Sequence, residues 1–252
     1  MTAPLFFADA DRLAAAGVGD VVELSGAEGR HAATVRRLVA GERLDLSDGA
    51  GLLCVAEVTA VVGQVLHARV LERSLVPQPL LRITVVQALA KGDRDERAVE
   101  TMTEVGVDVI VPWQASRSIV RWDSPRAQKA VTRWRTTARE AAKQARRPWL
   151  VDVPLLETTA AVVARLESVV RVGGVAVVLH EVADAPLRGI ALPSDGEVVL
   201  VVGPEGGVAD DEIAAFEAVG AVVRRLGPTV LRTSTAGTVA AAIVMANSGR
   251  WG

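Results

Sequence analysis

The chain has 252 residues, half of them apolar, with a formal charge of −2, five tryptophans, three phenylalanines and no tyrosine. That apolar content excludes wholesale disorder, and the length suits two modest domains or one large one. A single cysteine, Cys54, excludes an internal disulfide framework; with no basic-then-apolar leader and no long uncharged apolar run, a cytoplasmic protein without a membrane span is expected.

In chain order, residues 21–24 and 43–46 read as strands, Asp48-Gly49 as a turn, and residues 52–61 and 64–71 as two longer strands about Gly63. Residues 28–39 between them read as helix and carry His31, Arg36 and Arg37. Short strands with tight turns over about 70 residues predict a small barrel. Ser74-Leu75-Val76-Pro77-Gln78-Pro79 reads as a linker, because prolines spaced one apart disfavour helix and interrupt strand pairing. The expected division is therefore a first domain over 1–73, a linker over 74–80 and a second domain over 81–252.

Beyond the linker, strands alternate with helices. Residues 83–89 form an apolar, β-branched strand, 94–105 a helix stopping at Gly106, and 107–111 a strand ended by Pro112. Helices are expected over 125–146, over 158–171 and, with Asp210 as N-cap, up to Gly220; a small-residue helix spans 234–247. Strands over 175–179, 198–202 and 222–226 complete an α/β pattern with a parallel sheet.

Charge is unevenly distributed. Residues 117–147 hold ten basic residues against Asp123 and Glu140, a surplus of eight in a chain whose total is −2. On the 125–146 helix, Ala127, Ala130, Val131, Trp134, Ala138, Ala141 and Ala145 share one face, with basic residues on the other side, among them Arg139, Lys143, Arg146 and Arg147. Such a face suits phosphate oxygens, which displace condensed counterions; a merely solvated face is the competing reading, and the alanine side is thin for membrane insertion.

Three strand ends carry the remaining polar signals. Val202-Gly203-Pro204-Glu205-Gly206-Gly207 leaves a buried strand through glycines that permit close backbone approach. Ligands of parallel sheets collect outside strand carboxyl ends, although a plain structural turn would read the same way. The next helix opens with Asp210-Asp211-Glu212, which repels a phosphate, so a neutral or cationic ligand is favoured. Leu226-Gly227 through Leu231-Arg232-Thr233 leads into a hydroxyl-capped helix, and Leu179-His180 closes a third strand. Neither the dinucleotide fingerprint nor the phosphate-loop pattern is present, and no metal-ligand cluster, serine triad or paired carboxylate set appears.

Together these segments resemble the SPOUT superfamily of methyltransferases and, more closely, the RsmE family of 16S rRNA uracil-N3 methyltransferases. The resemblance runs through Glu28-Gly29-Arg30-His31, Val35-Arg36-Arg37-Leu38 and Asp48-Gly49, then Lys91-Gly92-Asp93-Arg94, Thr103-Glu104-Val105-Gly106-Val107 and Glu140 to Arg147. It ends in Gly203 to Gly207 and Leu226 to Thr233. The chain departs from the family at Ser234, where an acidic residue is usual, and within Glu100-Thr101-Met102-Thr103-Glu104, where a Gln-Lys pair is common.

The resemblance implies a PUA-like N-terminal barrel, a parallel α/β domain with a C-terminal trefoil knot, and a homodimer acting on 16S rRNA of the small ribosomal subunit. It implies S-adenosylmethionine bound among Leu179, His180, Val202, Gly203, Glu205, Gly206, Gly207, Leu226, Gly227, Leu231, Arg232 and Thr233. Arg232 is the candidate for stabilising charge on the base, and Glu205 either accepts a proton or orients its loop. His31, Arg36, Arg37, Arg139, Lys143, Arg146 and Arg147 are the expected RNA contacts. No metal is expected. Alternatives are a related enzyme acting on tRNA or a ribose 2′-hydroxyl, and a non-catalytic RNA-binding assembly factor.

Overall fold

A computed structural model describes residues 3–251, apart from the side chains of Ser124 and Pro125. It divides into two compact units, one of residues 3–78 with 142–150, the other of 79–141 with 151–251.

The first unit contains β1 (Leu5–Phe7), α1 (Ala10–Ala15), β2 (Val21–Leu24), α2 (Gly26–Arg30), β3 (Arg43–Ser47), β4 (Leu52–Val62) and β5 (Val65–Leu75). The sheet order is β1-β3-β4-β5-β2, with β1 parallel to β3 and the other pairs antiparallel. Alternation places Leu52, Cys54, Ala56 and Val58 of β4 beside Leu66, Ala68 and Val70 of β5 in one core with Phe6, Leu13, Leu44 and Leu46. Register shifts at Val55/Ala56 and Val58/Ala60 bend this long hairpin.

Three details differ from expectation. The helix expected over 28–39 is α2 followed by a π-helical turn, His31–Val35. It stops because Arg37 takes a left-handed φ of 54° and the Leu38 N–H returns to the Ala32 carbonyl at 3.1 Å, turning Leu38 inward. Secondly, β5 runs to Leu75 opposite Leu52, so Ser74 and Leu75 are strand. Thirdly, residues 142–150 join the first unit. Ala142 packs with Leu5 and Phe7, and the Trp149 indole donates to the Val76 carbonyl at 2.9 Å.

The second unit contains β6 (Leu81–Ala88), α3 (Arg94–Val105), β7 (Val109–Gln114), α4 (Ser124–Gln144, assigned here as far as Ala141), β8 (Glu157–Thr158), α5 (Thr159–Arg171) and β9 (Val175–Leu179). β10 (Gly196–Val202), α6 (Asp210–Ala218), β11 (Val222–Arg224) and α7 (Thr233–Asn247) follow. All pairs in the order β11-β9-β10-β6-β7-β8 are parallel. One face carries α3, α4 and α7 through Val99, Met102, Trp134, Ala138, Ala240 and Val244; the other carries α5 and α6 through Val162, Leu166 and Phe216. Covered on both sides, β10 is a continuous apolar run over 198–202 and β6 is apolar apart from Arg82, Thr84 and Gln87. Gly237 lets α7 lie close to α3, for a Cβ there would stand 2.6 Å from the Met102 sulfur.

Pro112 does not end its strand: β7 continues to Gln114. The Ile110 N–H points to the Asp152 carbonyl, at 2.9 Å. Position 112 faces that same edge, and β8 pairs with β7 only from Trp113 onward, so the missing donor breaks no ladder bond. The N-cap of α6 is Ala209 rather than Asp210, and its N–H is taken by the Glu212 carboxylate at 3.2 Å. No helix among the described residues is long and apolar enough to cross a membrane.

Candidate active site

The carboxyl ends of β9 and β10, the loop after β11 and the start of α7 enclose a cleft of about 290 Å³ in the second unit. Leu179, His180, Val202, Gly203, Glu205, Gly207, Leu226, Gly227, Leu231, Arg232 and Thr233 all line it. Of the residues expected there, Gly206 does not line the cleft; its backbone lies against Arg117, where a Cβ would sit 3.4 Å from the Arg117 backbone oxygen and side chain. The sequence reading missed Arg94, Glu181, Pro204, Val208, Thr229, Val230 and Ala236 as lining residues. Leu179, Val202, Leu226 and Leu231 supply apolar wall, while backbone at 203–207 supplies polar edge, a mixture suited to a small ligand with flat and polar parts.

Three polar arrangements shape the cleft. The Glu205 carboxylate accepts from the Arg94 guanidinium at 3.0 Å and from the Lys91 N–H at 3.2 Å. Burial pushes its carboxyl up, but the hydrogen bonds from its own N–H, from Lys91 and from Arg94 outweigh that and hold it below the usual glutamate range. A carboxylate held this way is a poor base, so the arrangement suits the loop-orienting role of Glu205. Glu212 is buried, accepting from the Ser116 N–H and the Thr159 hydroxyl at 2.8 Å each, and so anchors the far end of the same loop. Finally, the Thr233 hydroxyl donates to the Gly203 carbonyl at 2.9 Å and accepts from the Gln87 amide at 2.9 Å.

Arg232 is the N-cap of α7; its carbonyl accepts from Thr235 and Ala236, at 2.9 and 3.0 Å. Its side chain is exposed at the cleft and has no hydrogen-bond or ion-pair partner among the described residues. The backbone therefore fixes where the guanidinium emerges and leaves its five donors available. Ser234, at the position where the family's acidic residue is usual, is buried in the first turn of α7.

The expected RNA contacts separate. Arg36, Arg37 and Arg146 are exposed, His31, Arg139 and Arg147 half-buried. Arg146 takes a left-handed φ of 54° after the end of α4 and pulls against the effect of burial, which raises the Asp45 carboxyl. Lys143 is a correction. Its side chain is 8 % exposed and donates to both Glu28 oxygens, at 3.3 and 3.4 Å, and to His31 Nδ1 at 3.4 Å, so it is an internal ion-pair partner rather than a phosphate contact in solvent. Nor is the remaining basic face of α4 simply solvated: Arg133 pairs with Glu96 at 2.8 Å and Arg135 donates to the Val153 carbonyl at 2.8 Å. No cluster of metal-ligating residues occurs among the described residues.

Comparison with known proteins places these features. The profile of the RNA methyltransferase domain matches residues 76–245, and that of the RNA methyltransferase PUA domain matches residues 24–64. A ribosomal RNA small subunit methyltransferase E of Mycobacterium bovis is 46 % identical over 253 residues, covering all of this chain and 94 % of its own. The Bacillus subtilis protein of the same name is 28 % identical, covering 84 % of this chain and 85 % of its own. Among solved structures, a ribosomal RNA small subunit methyltransferase E from Neisseria gonorrhoeae bound to S-adenosyl methionine superposes with TM-score 0.85 at 27 % identity, over 97 % of this chain and 98 % of that one. A methyltransferase from Legionella pneumophila with bound S-adenosylmethionine gives 0.82 at 27 % identity, over 98 % of each chain. By profile, full-length identity and fold, the chain belongs to the ribosomal RNA small subunit methyltransferase E family.

Proposed function

We propose that this chain transfers a methyl group from S-adenosylmethionine to N3 of a uridine in the 16S rRNA of the small ribosomal subunit. The observation that carries this reading is the cleft that gathers the ends of β9 and β10 with the start of α7, in a chain whose full-length relatives are methyltransferases of small-subunit RNA. The residues present fit the cofactor. Apolar walls suit its adenine, and the turn at 203–207 adds the Gly203 and Gly207 backbone together with the Glu205 carboxylate, which Arg94 already pairs. When bound, S-adenosylmethionine supplies an electrophilic methyl group on a sulfonium.

Uracil N3 must give up its proton to solvent for the methyl to be accepted, and the negative charge that develops on O2 and O4 persists only until the N3–C bond has formed and the base is neutral again. The unpartnered Arg232 guanidinium is the group available to stabilise that charge. Glu205, tied to Arg94 and Lys91, holds the loop, and the cleft orients the base by excluding alternative poses. In the first unit Arg36, Arg37 and Arg146, with half-buried His31 and Arg147, are the groups for docking rRNA; in the second unit the candidate is Arg139. A homodimer, a cytoplasmic location and a trefoil knot at the C-terminal end of the sheet belong to the same reading.

Incubation with labelled S-adenosylmethionine and small subunits, large subunits or tRNA tests the substrate. Label is expected in small-subunit rRNA; label in tRNA or in the large subunit would move the assignment to another RNA. Replacing Arg36 and Arg37 by Glu should lower the slope of log affinity against log salt by about 2. An unchanged slope would remove both from the docking surface.

A further inference from the structure

We infer that Gln87 is a positioning residue for the cofactor cleft, an assignment that rests on reading the cleft as an S-adenosylmethionine site. Gln87 lies next to the end of β6, fully buried in an otherwise apolar stretch, and stands in register with Val202, the last residue of β10. Beyond Val202 the ladder stops, and a side-chain relay takes over. The Gln87 amide donates to the Thr233 hydroxyl at 2.9 Å and to the Ala88 carbonyl at 3.1 Å. Thr233, having accepted that bond, donates onward to the Gly203 carbonyl at 2.9 Å.

The direction of the relay is fixed by chemistry. An amide NH₂ can only donate and a carbonyl can only accept, so the hydroxyl between them has one orientation. Two of its three members, Thr233 and Gly203, line the cleft, and the third, Gln87, lies buried behind them. Gly203 is the first residue past β10, held so tightly that a Cβ would come 2.8 Å from a Val208 methyl. Thr233 opens α7 and follows Arg232 directly. A single buried amide on β6 therefore fixes the spacing between the glycine turn and the arginine.

Stability alone does not account for this glutamine. Its Oε1 is buried and has no hydrogen-bond partner among the described residues, a cost that an apolar side chain of the same volume would not carry. What the amide supplies against that cost is the two bonds its nitrogen makes.

The test is Gln87→Met, which conserves volume and removes the donor, made in the full-length protein with S-adenosylmethionine affinity, turnover and Tm all measured. Affinity is expected to fall about tenfold and turnover to fall with it, while the Tm stays level or rises. Thr233→Val should also weaken binding, and the double variant should be no weaker than Thr233→Val alone, since both break one relay. Val199→Ala, on the other face of the sheet, serves as the core control and should lower Tm with affinity unchanged. Wild-type affinity and turnover in Gln87→Met, or additive losses in the double variant, would overturn the assignment. Failure of the unaltered protein to bind S-adenosylmethionine would instead overturn the reading of the cleft, and this inference with it.

Discussion

The two ends of the parallel sheet in the second unit are built differently. At the amino end of β6 and β7, Arg250 is nearly buried and makes four hydrogen bonds: to both oxygens of Asp108, at 2.7 and 3.3 Å, to the Gly106 carbonyl at 3.1 Å and to the Leu81 carbonyl at 3.3 Å. Asp108 in turn accepts from the Ile83 N–H at 2.8 Å. At the carboxyl end, Arg94 pairs with Glu205, with side chains 38 % and 22 % exposed, and Arg232 has no partner among the described residues. Arg250 is used up as a staple at one end, whereas Arg232 is left available at the other. The difference teaches that this sheet is secured away from its chemistry, leaving the cleft free to hold groups that folding alone would not select.

The largest expected effect tests the staple. Arg250→Ala strips the guanidinium from a nearly buried carboxylate and should cost about 3 kcal/mol, roughly 6–12 °C of Tm for a chain of this size. Cofactor affinity should hold; a loss of affinity as large as the loss of stability would show that the two ends are not separate. The converse is Arg232→Ala, which should reduce turnover about 100-fold with Tm and cofactor affinity nearly unchanged. Near-normal turnover would remove Arg232 from the chemistry.

A smaller effect sharpens the contrast at the cleft end. Asp95, in the first turn of α3, is 3 % exposed, and burial raises its carboxyl despite hydrogen bonds from the Glu96 N–H and the Trp134 indole. The unfolded chain ionises this group near its ordinary value of 3.8 and the folded chain only at higher pH, so the cost of ionising it in the fold develops as pH rises between the two. Asp95→Asn removes that charge but offers an acceptor to only one of the two donors, the Glu96 N–H and the Trp134 indole, so its Tm relative to the unaltered chain should be more favourable at neutral pH than near pH 4. A difference independent of pH would place its origin elsewhere.

Much of the cleft was legible in the sequence because its residues sit at strand ends, where a run of valines breaks into glycine, proline and charge. Gly203 to Gly207 and Leu231 to Thr233 announce themselves this way. Gln87 did not, since it lies inside a run read as uniformly apolar; a lone amide in a strand buried on both faces was the available signal. Strand β1 escaped because three residues show no periodicity, and Pro112 misled because its effect depends on which edge its nitrogen faces. Lys143 misled for a related reason. Helical periodicity gives the direction of a side chain but not what the rest of the chain brings to meet it, and here Glu28 and His31, more than a hundred residues away, take up its charge.

The most direct test of the central claim is the identity of the methylated nucleoside. Small subunits from cells lacking this gene would be incubated with the purified protein and labelled S-adenosylmethionine, and the 16S rRNA digested to nucleosides. Label in N3-methyluridine is the expected result. Label in a 2′-O-methylated nucleoside or on another base, or no transfer despite measurable cofactor binding, would contradict it.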